Sequence, residues 1–160
     1  MAIFSLIYED NFERIVFCHD KRVGLKSIIA IHNTALGPAT GGCRMWDYKS
    51  EDEAVTDVLR LAKGMTYKAS ISKLSMGGGK SIIIGDPTKK TPELLKRYGD
   101  FGEAAQGGYV TALDVGISCQ ALANNKPWNR WRTKLFGRSF SCYRMGRIQR
   151  HESIGGIRSW

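Results

Sequence analysis

The densest chemical signal in this sequence is Gly77-Gly78-Gly79-Lys80-Ser81. A phosphate-binding loop needs Gly, four residues, then Gly-Lys-Ser/Thr, and must feed a helix whose N-terminal amides hold the anion. Here Leu74 stands where the first glycine belongs. Lys80 runs into Ser81-Ile82-Ile83-Ile84, a buried-strand pattern stopped by Gly85-Asp86-Pro87. Both features argue against a nucleotide loop. Two readings of Lys80 stay open. In one, the glycines let backbone and substrate come close, and an amine at the start of a buried strand loses hydration. That disfavours the ammonium form and makes a general base. In the other, the glycines form a turn and Lys80 is solvated.

Other candidates carry similar alternatives. Lys68, in Met65-Thr66-Tyr67-Lys68, either meets an anionic substrate or simply complements the dipole at a helix C-terminus. Asp114 follows the strand pattern of Tyr109–Leu113, the place where open α/β sheets put ligands, and it also suits a turn. Gly41-Gly42 either exposes amides to a carboxylate or makes a bulge. His19 and His32 are isolated within strand patterns and read as structural; no spacing supports a metal site.

These residues need elements to hold them. Residues 13–20 and 24–32 are rich in Ile, Val and Phe and read as an antiparallel hairpin. Residues 40–48 suggest a third extended stretch. Ser50-Glu51-Asp52-Glu53 is a capping-box pattern, and Val55, Val58, Leu59, Ala62 and Met65 follow at helical spacing, predicting a helix over about 50–69. Residues 81–84 read as a buried strand. Thr91-Pro92-Glu93 opens a second helix, with Leu94, Leu95, Tyr98, Phe101 and Ala105 as its inner face and Gly107-Gly108 at its end. A strand at Tyr109–Leu113 follows. The expected fold is α/β, a mixed sheet of N-terminal antiparallel strands plus parallel βαβ strands, flanked by helices.

Composition bounds the rest. The 160 residues are 42% hydrophobic and 24% charged, a globular composition rather than a disordered or disulfide-scaffold one. No apolar run approaches the ~20 residues that span a bilayer, so no membrane partner is expected. The first ten residues lack a basic n-region and do not read as a secretory signal. Cys18, Cys43, Cys119 and Cys142 show no metal rhythm, and a reduced, cytoplasmic setting is expected. The net charge of +9 is uneven: residues 119–160 hold nine Lys+Arg and one acid, Glu152, and residues 1–118 are nearly balanced. No helical or strand period persists after Ser118. Basic and aromatic residues interleave there, Arg130, Arg132 and Lys134 beside Trp128, Trp131 and Phe136, which raises an anion or nucleic-acid binder as an alternative. Non-specific attraction is the simpler account of that pattern.

The order of the motifs is more specific than any one of them. Pro38-Ala39-Thr40-Gly41-Gly42-Cys43-Arg44-Met45-Trp46, Gly64-Met65-Thr66-Tyr67-Lys68, Met76-Gly77-Gly78-Gly79-Lys80-Ser81, Ile84-Gly85-Asp86-Pro87 and Tyr109-Val110-Thr111-Ala112-Leu113-Asp114-Val115-Gly116 occur in series. That series resembles the N-terminal substrate and dimerisation domain of the Glu/Leu/Phe/Val dehydrogenases, the leucine type most of all, over residues 6–118. The resemblance implies reversible oxidative deamination of an L-amino acid to a 2-oxo acid and ammonia, with NAD as hydride acceptor. It implies that Lys68 pairs with the substrate carboxylate, Lys80 activates water and Asp114 is the partner acid. Gly41 and Gly42 would line the carboxylate end, and Thr40 and Ala112 the side-chain pocket. It also implies a homo-oligomer. The family's cofactor domain is not represented: no Gly-x-Gly-x-x-Gly follows Asp114, and 42 residues cannot build a six-stranded sheet. We therefore expect residues 1–118 to form the substrate domain, and 119–160 to be a basic irregular tail produced by a frameshift. The 160 residues alone are expected to bind no NAD and to be inactive. The alternative is a non-catalytic truncated subunit acting through self-association.

Overall fold

The computed structural model describes residues 3–104 and 108–118, with backbone alone at 103 and 104. Ala105, Gly107 and the basic, aromatic stretch after Ser118 lie outside the described residues. A short helix, α1 (Ile3–Glu9), precedes strands β1 (Arg14–Asp20), β2 (Leu25–Asn33) and β3 (Ala39–Trp46). Helix α2 (Glu51–Ile71), β4 (Gly77–Ile84), a 3-10 turn (Pro87–Lys89), α3 (Pro92–Ala104) and β5 (Tyr109–Leu113) follow. The strands form one sheet in the order β1-β2-β4-β3-β5. β1 and β2 pair antiparallel, as do β2 and β4. β3 lies parallel to both β4 and β5. The expected mixed α/β sheet is therefore present, and its parallel half comes from the two strand–helix–strand units.

The strand period of two sorts the sheet into two faces. Ile28, Ala30 and Ile82 pack under α2 against Ala54, Val55, Val58, Leu59 and Ala62. Leu25, Cys43, Met45 and Ile83 pack on the other side against Leu94, Leu95 and Tyr98 of α3. Both helices start as their sequences dictate. The Ser50 hydroxyl accepts from the Glu53 N–H. The capping box is only half closed, because the Glu53 carboxylate takes the Lys49 N–H instead of that of Ser50. At α3 the Thr91 hydroxyl accepts from the Leu94 N–H.

Two elements differ from the sequence expectation. No helix was anticipated at Ile3–Glu9, seven residues with no buried side chain. The strand anticipated over 81–84 starts four residues earlier, and the three glycines belong to it. β4 is central, flanked by β2 and β3, and its glycines serve close packing instead of a turn. A Cβ at Gly78 would overlap the backbone of Thr66 in α2, so glycine is what lets the helix lie directly on the strand.

Candidate active site

Register and alternation bring Lys80, Thr40, Gly42, Ala112 and Asp114 to the α2 face, and place Gly41, between Thr40 and Gly42, on the side of Cys43 and Met45 under α3. Lys80 stands beside Ala30 and two residues from Ile82, both under α2. Thr40 aligns with Gly78 on one side and Val110 on the other; Gly42 aligns with Ala112. Arg44 follows two residues after Gly42, and Asp114 two residues after Ala112. Among the described residues the long helix covers β2 and β4 far more than β3 and leaves the β3–β5 flank of this face more open.

Lys80 and Asp114 meet there. The Lys80 ammonium lies 2.6 Å from Asp114 Oδ2. Lys80 is 6% exposed, so the second reading of that lysine, a solvated side chain on a glycine turn, is excluded. The same carboxylate oxygen accepts from Arg44 Nε at 3.2 Å. Arg44 Nη1 donates to Asp57 Oδ2 at 2.8 Å, an oxygen that also accepts from the Tyr48 hydroxyl at 2.8 Å. Arg60 Nη2 donates to Asp57 Oδ1 at 2.8 Å. Burial acts to raise the Asp114 carboxyl. The hydrogen bond and charge of Lys80, the Val115 N–H and the Arg44 charge outweigh it and hold Asp114 below the usual carboxylate range. Asp57 is held low in the same way: burial opposes, and Arg60, Tyr48 and Arg44 prevail. A buried amine beside an ionised carboxylate can exchange a proton with a bound molecule, and the cations attract an anionic one.

The remaining candidates are placed as follows. Lys68 lies in the last turn of α2 and is exposed, with no side-chain hydrogen bond or ion pair among the described residues. It is two residues beyond Thr66, where α2 touches β4. Gly41 and Gly42 are both buried. A Cβ on Gly41 would overlap the Gly79 carbonyl, and one on Gly42 would crowd Leu113 and Asp114. Their first physical role is thus the close approach of β3 to its neighbours. Thr40 is half-buried, with its hydroxyl 3.4 Å from both the Pro38 carbonyl and the Met76 sulfur. Ala112 is half-buried. His19 is exposed, and His32 shares hydrogen bonds with the Thr66 hydroxyl and the Asp10 carbonyl. No group of three or more His, Cys, Asp or Glu among the described residues could hold a metal ion.

Sequence reasoning missed Arg44, Asp57 and Tyr48. Arg44 lay inside a quoted motif without a role, although its place two residues after Gly42 puts it on the same face. Asp57 and Arg60 had a local signal, the i,i+3 ion pair on a helix. The link from Arg44 across to α2 spans 13 residues and has no signature in spacing.

The comparisons with known proteins bear on the family and the fold. The chain matches the family model "Glu/Leu/Phe/Val dehydrogenase, dimerisation domain" over residues 12–125. It is 59% identical over 107 residues to phenylalanine dehydrogenase of Caldalkalibacillus thermarum, covering 66% of this chain and 29% of that protein. It is 49% identical over 123 residues to leucine dehydrogenase of Bacillus subtilis, covering 76% and 34%. Among solved structures, L-tryptophan dehydrogenase from Nostoc punctiforme superimposes with a TM-score of 0.77 at 40% identity, covering 81% of this chain and 39% of that one. The chain thus spans about a third of the length of the curated relatives it matches. By its motifs, its sheet and these likenesses, the chain belongs to the Glu/Leu/Phe/Val dehydrogenase family, within the dimerisation domain.

Proposed function

We propose that these residues form the substrate-binding half of an NAD-dependent L-amino-acid dehydrogenase of the leucine or phenylalanine kind. The observation that carries this is the buried Lys80–Asp114 pair, 2.6 Å apart, on the more open flank of the α2 face. In this reading Lys68 pairs with the substrate carboxylate. Lys80 takes the proton from the water that attacks the imine carbon, and Asp114 exchanges the proton at the substrate nitrogen. The overall balance is amino acid, water and NAD⁺ giving 2-oxo acid, ammonium, NADH and a proton.

NAD supplies the hydride acceptor of the whole protein, and the described residues do not fit it. The two strand–helix turns that a dinucleotide's diphosphate would use carry acid. The first turn of α2 holds Glu51, Asp52 and Glu53. The turn after β4 holds Asp86, whose side chain already accepts from the Thr88 N–H. Like charge at a helix N-terminus opposes a diphosphate.

The family match as a dimerisation domain also supports self-association of this chain, readable by sedimentation. The substrate reading is tested by calorimetric titration of the whole chain with 4-methyl-2-oxopentanoate. We expect saturable binding in the millimolar range (about 4 kcal/mol) and a loss of roughly tenfold in Lys68→Ala. No NADH is expected from L-leucine and NAD⁺ with this chain alone. Absence of binding to the folded chain contradicts the substrate role, and NADH formation contradicts the expected inactivity.

A further inference from the structure

We infer that Arg44 is a positioning residue for the Lys80–Asp114 pair, held in place by Asp57 and Tyr48. The inference rests on the substrate reading for its purpose, and on geometry alone for its content. Two cations converge on one oxygen, Asp114 Oδ2: Lys80 Nζ at 2.6 Å from one side and Arg44 Nε at 3.2 Å from another. The guanidinium is planar and always charged, and two hydrogen bonds to different acids fix the orientation of its plane. Arg44 has that arrangement, with Nε on Asp114 and Nη1 on Asp57. Its far anchor is itself pinned, because Asp57 accepts from Tyr48 and Arg60 as well. The row runs from α2 through Asp57 and Arg44 to Asp114 at the end of β5, and thence to Lys80 on β4.

The arrangement has a chemical consequence. If Lys80 were the sole cation at Asp114, loss of its proton would leave a half-buried carboxylate without a counter-charge, which is unfavourable. Arg44 cannot be deprotonated in a protein, so it keeps Asp114 compensated through a proton cycle on Lys80. It also holds the carboxylate in place when Lys80 turns to a substrate. The row borders a cavity of about 670 Å³ lined in part by Arg44, Tyr48, Asp57, Arg60, Trp46 and Val115. The charged groups facing Asp114 among the described residues are therefore Lys80 and Arg44 directly, and Asp57, Arg60 and the Tyr48 hydroxyl through Arg44.

The test is the titration of the Asp114 side-chain carboxyl by carbon-13 NMR in the full chain without ligand. In Arg44→Gln we expect the midpoint to rise by on the order of one pH unit. Arg44→Lys, which keeps the charge and loses the fork, should restore most of the original midpoint. A merely structural tie would lower the melting temperature and leave the Asp114 midpoint where it was, and that result overturns the proposal. Should Arg44→Gln not fold, Tyr48→Phe removes one bond from the anchor. A smaller rise in the same direction supports the proposal, and an unmoved midpoint overturns it. Because no ligand is present, a failure here is separate from a failure of the substrate reading, which the oxo-acid titration of the unsubstituted chain decides.

Discussion

Lys80 and Ser81 are neighbours in sequence and face opposite sides of β4, and the two sides satisfy buried polar atoms in different ways. On the α2 side the groups are ionised: buried Lys80 and the half-buried Asp114, Arg44 and Asp57 pair with one another. Around Ser81 on the α3 side they are neutral, and the ionised Asp20–Arg97 pair of that face lies away from them at β1. The Ser81 hydroxyl shares hydrogen bonds with Tyr98 at 2.6 Å and Tyr109 at 3.1 Å. Tyr98 reaches the Thr111 hydroxyl at 3.1 Å, and Tyr109 donates to the Gly41 carbonyl at 2.7 Å. Fully buried sites favour neutral hydroxyl networks because charge is expensive to desolvate, and ions persist where pairing and partial hydration offset that penalty. One strand thus carries a neutral hydroxyl layer on one face and a charged layer on the other.

The largest predicted effect tests the separation itself. Gly78→Ala places a methyl group into the Thr66 backbone, and the helix or the strand must move. We expect a loss of about 3 kcal/mol, from the upper range for overpacking, and a fall in melting temperature of roughly 10 °C. Ser81→Ala comes next. It leaves the Tyr98 and Tyr109 hydroxyls each short of a partner, a destabilisation of about 1–3 kcal/mol by chemical denaturation. The Asp114 titration should not move in that variant; if it does, the two layers are not independent.

The pH dependence of stability divides between carboxyl and phenol groups, and its acid limb draws on both faces, since Arg22 and Arg97 also hold Asp20 well below its ordinary value on the α3 side. Asp114 and Asp57 are held below their ordinary values in the folded chain. Their contribution is complete above the unfolded carboxyl value of about 3.9 and is lost as pH falls through the lower folded values. Burial pushes Tyr98 and Tyr109 above the ordinary phenol value. Their contribution is present below the unfolded value of about 10 and is lost as pH rises through the folded values. Asp57→Asn should therefore flatten the acid limb of a stability curve and Tyr98→Phe the alkaline limb. The reverse assignment would break the comparison. The smallest stability effect is that of Lys68→Ala. Lys68 is exposed, so stability should stay within about 0.5 kcal/mol while oxo-acid binding weakens.

Much of this was legible in the sequence because it is periodic or local. The apolar positions of α2 recur at helical spacing, Ser50 and Thr91 cap visibly, and β5 was bounded correctly. The three glycines leave two readings open in the sequence because glycine signals a turn and a close approach equally well. Only the position of Thr66 over Gly78 decides between them. Lys80 and Asp114 are 34 residues apart, and no spacing rule joins them; the motif order did. Arg44 stayed silent because its partners, Asp57 and Asp114, lie on α2 and at the end of β5. α1 buries no side chain fully; Leu6 and Ile7 rest half-buried against the α2 cluster, and the apolar spacing of so short a segment does not mark a helix.

The most direct test of the charged layer as a substrate site is an NMR titration of the full chain with 4-methyl-2-oxopentanoate. It follows Lys80 Nζ and Asp114 Cγ on one face, and Ser81 and Tyr98 on the other. The account predicts saturable shifts at Lys80 and Asp114, with the hydroxyl layer unmoved. Signals at Lys80 and Asp114 that stay fixed while the chain is folded, or shifts confined to Ser81 and Tyr98, would contradict it.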